Sequence, residues 1–263
     1  MKLNIVPART GIQWVKLGVQ TFMKQPLALT GLFFMYMAVV LVISQIPVIG
    51  PVLAAMLVPA ATLGLMVATS EAASGRFPMP TVLISGFRAG RERLRAMLVL
   101  GVIFTAGAAL LGALSALIIG DLPEPAARAG ATPDPAGAAR MLASLVLHLP
   151  LYMLFWHAPA LVHWHGISPV KSLFFSAVAC LRNAGAFIVY GFTWVGVFMV
   201  FGLVVSLLAA LLGGQSAANT ILIPLVLLML AMVTTSVYFT FRDCFRADDA
   251  EETAPGPGGE TTP

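Results

Sequence analysis

Long apolar runs alternate with short polar segments along most of this chain. Six runs are about 20 residues long, the length at which a helix crosses the roughly 30 Å hydrocarbon core of a bilayer. They cover residues 27–45, 52–72, 96–119, 141–163, 186–212 and 220–241. Strands of a membrane β-barrel are shorter and alternate in polarity, so the pattern argues against a barrel. We therefore predict an all-α integral membrane protein, a six-helix bundle.

A second pattern, with helical spacing, precedes each pair of apolar runs. Apolar residues recur at intervals of three and four, opposite a polar and basic face. The stripes are Ile12, Val15, Val19 and Phe22; Leu83, Phe87, Gly90 and Leu94; and Val170, Leu173, Phe174, Ala177, Val178 and Leu181. The third polar face holds Lys171, Ser172 and Ser176. Such segments are typical of amphipathic helices lying on an anionic membrane surface.

The order of segments suggests three copies of one unit, an interfacial helix followed by a transmembrane hairpin. A basic residue, Lys24, Arg95 or Arg182, ends each amphipathic segment. Duplication of one ancestral unit explains this recurrence. Alternatively, any hairpin with cytoplasmic ends needs basic flanks, and the charges would then recur without duplication.

Basic residues are distributed very unevenly among the connections. Of the 15 Lys and Arg residues, all but Arg128 and Arg140 fall in the two terminal segments and in the connections after the second and fourth runs. Because cytoplasmic loops are enriched in Lys and Arg, we predict that both termini are cytoplasmic and that the protein lies in a bacterial inner membrane. Cys180 and Cys244 then face the reducing side, where a disulfide is not expected.

Composition narrows the class of protein further. Hydrophobic residues make up 59% of the 263 residues and charged residues only 10%, whereas an average soluble domain carries about 25% charged residues. A soluble enzyme and a disordered protein are therefore excluded. The net charge of +4 lies at the membrane edges, so we expect anionic lipids of the inner leaflet as partners and no nucleic acid.

The segments outside the transmembrane domain, which spans residues 1–246, have the composition of loops. Short Pro/Gly turns are predicted at 46–51 and 213–216. The connection at 121–140 is rich in Pro and Ala, and the tail at 247–263 is acidic and then rich in Pro, Gly and Thr. We expect both longer segments to be disordered.

Small residues four positions apart form two ladders that would let helices approach closely. The first ladder comprises Ala60, Gly64 and Ala68, and the second comprises Ala108, Gly112 and Ala116. Their partners are either helices of the same chain or a second copy in a homo-oligomer.

Few residues inside the predicted spans carry chemistry. The intramembrane polar candidates are Glu71, His148 and His157. An ideal helix places His148 and His157 on opposite faces, so they do not share a metal without a kink at Pro150. We assign no catalytic, cofactor or metal site. The candidate contacts with lipid headgroups are Arg88, Arg91, Arg93, Arg95, Lys171 and Arg182.

Several helix-start and turn motifs together resemble a known group of proteins. They are Gly11-Ile12-Gln13-Trp14 with Phe22 and Pro26, the turn at 46–51, and Ser168-Pro169 leading to Asn183. These motifs resemble an uncharacterised Burkholderia-type family of multi-pass inner-membrane proteins. The resemblance covers most of the chain and implies no catalytic residues.

Function follows only in outline from these observations. No nucleophile motif, phosphate-binding loop or acidic metal cluster is present in the sequence. We expect a non-enzymatic structural, lipid-associated or accessory component of the membrane, without a cofactor. The alternative is a channel or carrier for a small neutral or amphipathic solute.

Overall fold

The computed structural model describes residues 2–120, 135–211 and 215–246. Within these ranges the chain is almost wholly helical, and six spans are long and apolar enough to cross a membrane. The predicted class, an all-α multi-pass bundle, is confirmed. The six spans are Pro26–Ser44, Gly50–Ala73, Arg91–Ile118, Pro135–His165, Ala184–Leu208 and Pro224–Cys244.

Ten α-helices, one 3₁₀ helix and a two-stranded ribbon make up the described chain. The helices are α1 (Thr10–Lys24), α2 (Pro26–Ser44), α3 (Gly50–Ala73), α4 (Ser85–Arg88), α5 (Arg91–Ile118), α6 (Pro135–Phe155), α7 (Ala158–His165), α8 (Pro169–Arg182), α9 (Ala184–Leu211) and α10 (Gln215–Cys244). The 3₁₀ helix is Pro80–Ile84, just before α4. Strand β1 (Lys2–Leu3) pairs antiparallel with β2 (Phe245–Arg246), which brings the two ends of the chain together.

Two predicted connections are shorter than the sequence suggested. Gln215 and Ser216, expected in a turn, belong to α10, and residues 135–140, expected in a disordered loop, begin α6. Residues 135–140 include three alanines and one arginine, and Gln215 is also a good helix former, so the neighbouring helices can extend into both segments. Residues 121–134, 212–214 and 247–263, which hold the rest of the predicted loop, turn and tail, lie outside the described residues.

Helix α1 packs deep within one end of the bundle, against α9 and α10. A Cβ atom at Gly11 would lie 2.3 Å from the Ala186 carbonyl oxygen, and one at Gly18 would lie 2.4 Å from Ser236 Cβ. Trp14 is fully buried between these glycines. The predicted stripe is therefore rotated, because Ile12 is exposed and the small residues provide the close contact.

Helix α8 leaves most of the predicted apolar stripe exposed or half-buried, although Leu173 is buried, and it buries two serines of the predicted polar face. Ser172 and Ser176 are fully buried, whereas Val170 and Phe174 are 70% and 63% exposed. In a membrane, apolar side chains are satisfied by lipid, and small hydroxyl side chains serve contacts between helices. Most of the apolar stripe that would point into the core of a soluble protein therefore points outward here.

The second predicted amphipathic segment is not one helix. It comprises the 3₁₀ helix, α4 and the start of α5, and Gly90 separates the last two with a φ of +101°, a conformation that glycine adopts without strain. A Cβ atom at Gly64 would lie 2.7 Å from Leu83 Cα. Since Gly64 is nine residues before the end of α3, the chain turns back along α3 by about 13 Å.

The two small-residue ladders have different surroundings. In the first, Ala60 and Ala68 are buried and Gly64 contacts Leu83 of the same chain. In the second, Gly112 and Ala116 are exposed, and a Cβ atom at Gly112 would meet nothing within 4 Å. The partner of the first ladder is thus the protein itself.

The short-helix-plus-hairpin order occurs three times along the chain. It comprises α1 with α2 and α3, α4 with α5 and α6, and α8 with α9 and α10. The first helix is buried, the second is a single turn and the third lies at the surface. Duplication of one unit stays a prediction.

Candidate functional site

The fourth span is broken between α6 and α7, and three buried polar residues, His157, Ser176 and Thr240, meet at the break. Pro159 lies at the start of α7 and has no N–H to offer the preceding turn. At the break, the Ser176 hydroxyl of α8 bridges two backbone groups. It accepts a hydrogen bond from the His157 N–H at 2.9 Å and donates one to the Met153 carbonyl at 2.8 Å. In a continuous helix the His157 N–H would bond Met153 directly. The serine is therefore inserted into a helical hydrogen bond.

His157 is fully buried at this break and its side chain is held by α10. Its Nε2 lies 3.1 Å from Thr240 Oγ1, which also accepts the Trp156 Nε1–H at 3.0 Å. Thr240 donates its own proton to the Val237 carbonyl. Because a hydroxyl has one proton to donate, His157 donates from Nε2 and its Nδ1 carries a lone pair.

The other side of the His157 ring is aromatic. Ring centroids of Phe187, Phe241 and Phe245 lie 5.4–6.0 Å from the imidazole. Nδ1 has no hydrogen-bond partner among the described residues. The arrangement holds a neutral imidazole as a structural cross-link between α7, α8 and α10. In the described parts of the chain, no three His, Cys, Asp or Glu side chains are grouped to hold a metal.

His148 does not belong to this network. Its Nδ1 lies 2.8 Å from the Ser144 carbonyl, one turn earlier on α6. Its ring lies beside Tyr152 at 6.3 Å. The two histidines are nine residues apart, about 13 Å along a helix, so the structure does not bring them together.

Glu71, the third intramembrane candidate, lines a polar cleft at the end of α3. The cleft measures about 350 Å³ and is also lined by Arg88 of α4 and His163 of α7. Thr81 and Ser85 add hydroxyl groups to the same lining. The backbone N–H groups of Ser74 and Arg76 both donate to the Glu71 carbonyl oxygen. The described residues make no hydrogen bond or ion pair with the Glu71 carboxylate.

The predicted headgroup contacts all lie at one end of the bundle, which we call the basic end. It is the end where α2, α5 and α9 begin and where α3 and α10 finish. Arg93 is half-buried there. The exposed members are Arg88, Arg91, Arg95, Lys171 and Arg182.

Both cysteines are buried near the basic end as free thiols. Burial raises the pKa of Cys180, on α8, to about 12. A thiol with so high a pKa is almost wholly protonated at neutral pH and is a poor nucleophile. Cys180 is thus part of the packing rather than a reactive group.

Several polar side chains that join the elements were not predicted from the sequence. Asn183, noted only within the family motif, accepts the Val6 N–H at 2.8 Å and donates to the Asn4 carbonyl at 3.1 Å. Ser236 bonds Tyr190 and Trp194 of α9. A lone hydroxyl or amide within an apolar helix is the signal that would have pointed to these residues.

Comparison with known proteins identifies a relative of this chain. A probable inner membrane protein of Burkholderia thailandensis is 35% identical to this chain over 254 residues, which cover 93% of this chain and 94% of the relative. The relative's name gives a location and no activity. No family model and no solved structure matches the chain.

Proposed function

The chain belongs to the family of this Burkholderia thailandensis inner membrane protein, and we propose that it acts there as a non-enzymatic, lipid-associated accessory component. The relative and the six apolar spans establish a multi-pass protein of the inner membrane, and the Burkholderia-type resemblance is confirmed. The absence of enzymatic activity belongs to the proposal and rests on the lack of a catalytic motif in the sequence.

The observation that carries the lipid association is the set of exposed cations at the basic end. Arg91 and Arg95 lie on the first turns of α5, and Lys171 and Arg182 lie near the two ends of α8. Each Lys or Arg close to an anionic leaflet contributes about 1 kcal/mol of attraction. Because α8 also exposes apolar side chains, it combines the two properties of a helix that lies at a membrane surface.

Orientation is the next part of the proposal, and we place both termini on the cytoplasmic side. Pairing of β1 with β2 supports a common side for the two ends. The positive residues at the basic end support the cytoplasmic side. Anionic lipids of the inner leaflet are then the natural partners.

Native mass spectrometry of the purified full chain tests the lipid association. We compare wild type with a variant in which Arg91, Arg95, Lys171 and Arg182 are replaced by Gln, at equal phosphatidylglycerol concentration. Wild type is expected to retain several phosphatidylglycerol molecules and the variant markedly fewer. Arg140→Gln, at the opposite end, serves as the control and keeps the wild-type pattern. Equal retention in all three proteins would contradict the assignment.

We propose a homo-oligomer in which copies of the chain contact one another only through the second ladder of small residues. Ala60 and Ala68 are buried in the chain, whereas Gly112 and Ala116 face outward. Disulfide cross-linking between copies of the Ala116→Cys variant, and not between copies of Ala68→Cys, would support self-association by this face.

The alternative function, transport of a small neutral or amphipathic solute, is favoured by one observation. The fourth span is interrupted at Trp156 and His157, and broken helices recur at the binding sites of secondary transporters. Here the freed backbone groups are already bonded by Ser176. Solute-dependent leakage from vesicles containing the protein, absent from empty vesicles, would favour this alternative.

A further inference from the structure

The polar cleft lined by Glu71 and Arg88 differs from the other large cavities of the bundle. A cavity of about 310 Å³ between α2, α3 and α10 is lined almost wholly by apolar side chains such as Phe33 and Leu230. The polar cleft instead carries a carboxylate, a guanidinium, an imidazole and two hydroxyl groups. It lies at the basic end, where lipid headgroups meet the protein.

The two charges of the cleft are opposite in sign and make no ion pair with one another. Glu71 is half-buried at the last turns of α3, and Arg88 is exposed at the end of α4. A carboxylate taken partly out of water loses solvation and gains from a cation placed beside it. A guanidinium gives strong, directed hydrogen bonds to phosphate oxygens.

His163 adds a second incomplete polar group at the same place. It lines the cleft from α7, and its Nδ1 is buried without a hydrogen-bond partner among the described residues. Buried polar atoms in native structures nearly always have a partner, which is protein, water or ligand. His163 thus adds an imidazole to the lining of the cleft, close to the two charges.

We propose that this cleft binds a phosphoethanolamine group, with the phosphate held by Arg88 and the ammonium held by Glu71. This inference rests on the lipid association proposed above and names the headgroup that the cleft selects. A purely anionic headgroup would be repelled by Glu71, and a simple cation would be repelled by Arg88. A quaternary ammonium has no N–H to donate to Glu71, and it is typically held by aromatic rings, whereas no Phe, Tyr or Trp lines the described cleft.

Surroundings of the cleft favour a lipid over a soluble phosphoethanolamine ester. Phe87, next to Arg88 on α4, lines an apolar cavity of about 200 Å³ together with Tyr36 and Leu57. One short helix thus separates a charged cleft from an apolar one. An amphiphile with a charged head and an acyl chain has both kinds of surface to satisfy, whereas a soluble ester has only the first.

The test is headgroup selectivity of the full-length protein in native mass spectrometry. Phosphatidylethanolamine, phosphatidylcholine and phosphatidylglycerol with identical acyl chains are titrated in turn. Wild type is expected to retain phosphatidylethanolamine about tenfold more strongly than phosphatidylcholine, the effect of one charge-assisted hydrogen bond. Glu71→Gln keeps the shape and removes the charge, so it is expected to abolish this preference. Arg88→Gln is expected to weaken retention of phosphatidylethanolamine and phosphatidylcholine alike.

Glu92→Gln is the matched control, because Glu92 is exposed on α5 and does not line the cleft. It is expected to keep the wild-type preference, and thermal unfolding checks that each variant folds. Equal retention of phosphatidylethanolamine and phosphatidylcholine by wild type would overturn the inference, as would an unchanged preference in Glu71→Gln.

Two further measurements are needed. One distinguishes the free headgroup from the whole lipid as the ligand, and the other distinguishes failure of this inference from failure of the proposed lipid association. Displacement of the bound lipid by glycerophosphoethanolamine would identify the headgroup alone as the ligand, and its failure to displace would identify the anchored lipid; either result supports the cleft assignment. Phosphatidylglycerol retention that depends on the basic residues, without headgroup preference, would overturn this inference alone. Retention of no lipid at all would overturn the proposed function as well.

Discussion

Two hydroxyl side chains form hydrogen bonds with the polar groups at the helix break inside the bundle. Thr240 accepts hydrogen bonds from both Trp156 and His157, and Ser176 bridges the interrupted backbone. A buried donor without an acceptor costs about 1–3 kcal/mol. These two small side chains therefore decide whether the break is tolerated.

Thr240→Val is expected to lower the free energy of unfolding by about 2 kcal/mol, because the ring N–H groups of buried His157 and half-buried Trp156 lose their common acceptor. Thr235→Val is the control. Thr235 is equally buried, and its hydroxyl bonds only the Ala231 carbonyl on its own helix. Its replacement is expected to cost less than about 1 kcal/mol. Thermal unfolding in detergent measures both; equal losses would show that the Thr240 network adds nothing.

At the scale of single residues, His157 could be predicted from the sequence, whereas the side chains that contact it could not. A histidine inside an apolar run is conspicuous, whereas Thr240 is one of several hydroxyl residues on α10 and lies 83 residues away. Glu71 and Arg88 were each predicted, but as separate groups. Their shared cleft depends on the chain turning back along α3, and no local pattern encodes that turn.

At the scale of elements, glycine determines which helices approach most closely. Gly18 of α1 lies against the backbone of Ser236 on α10. Gly112 of α5 faces outward, with open space where a side chain would be. The same residue type thus allows close packing at one position and only weakens the helix at the other.

Gly18→Ala is expected to destabilise the protein by about 2 kcal/mol or more, because the new methyl group overlaps Ser236 and α1 must shift. Gly112→Ala is expected to be neutral or to stabilise by about 0.5–1 kcal/mol through helix propensity. Denaturation curves in the same detergent compare the two. If Gly18→Ala were as stable as wild type, α1 would not pack against α10 as described.

Helical period predicted where the elements lie better than which face they bury. The spacing along 168–182 is helical and α8 forms there, yet Ser172 and Ser176 are buried and Phe174 is exposed. In the second segment the spacing continues through Gly90, but the positive φ of that residue ends the helix. The prediction fails for the polar face, because Ser172 and Ser176 serve contacts between helices instead of facing water.

At the scale of the whole molecule, hydrophobicity and charge predict the bundle and its expected orientation. Apolar length identifies six spans because a bilayer leaves few other ways to satisfy the backbone. The packing of the basic end escaped prediction because it depends on contacts between distant segments. Asn183, for example, holds Val6, which lies 177 residues earlier.

Reporter fusions test the orientation of this bundle. A cytoplasmic reporter fused after Arg246 is expected to be active, and a periplasmic reporter inserted at Pro133 is expected to be active, because the basic residues hold their end inside. Replacing Arg91, Arg93 and Arg95 by Glu weakens that bias and is expected to raise periplasmic signal at the Arg246 fusion. A cytoplasmic signal at Pro133 in wild type would reverse the orientation. The cleft that Glu71 and Arg88 line would then face the outer leaflet, and its ligand would have to come from there.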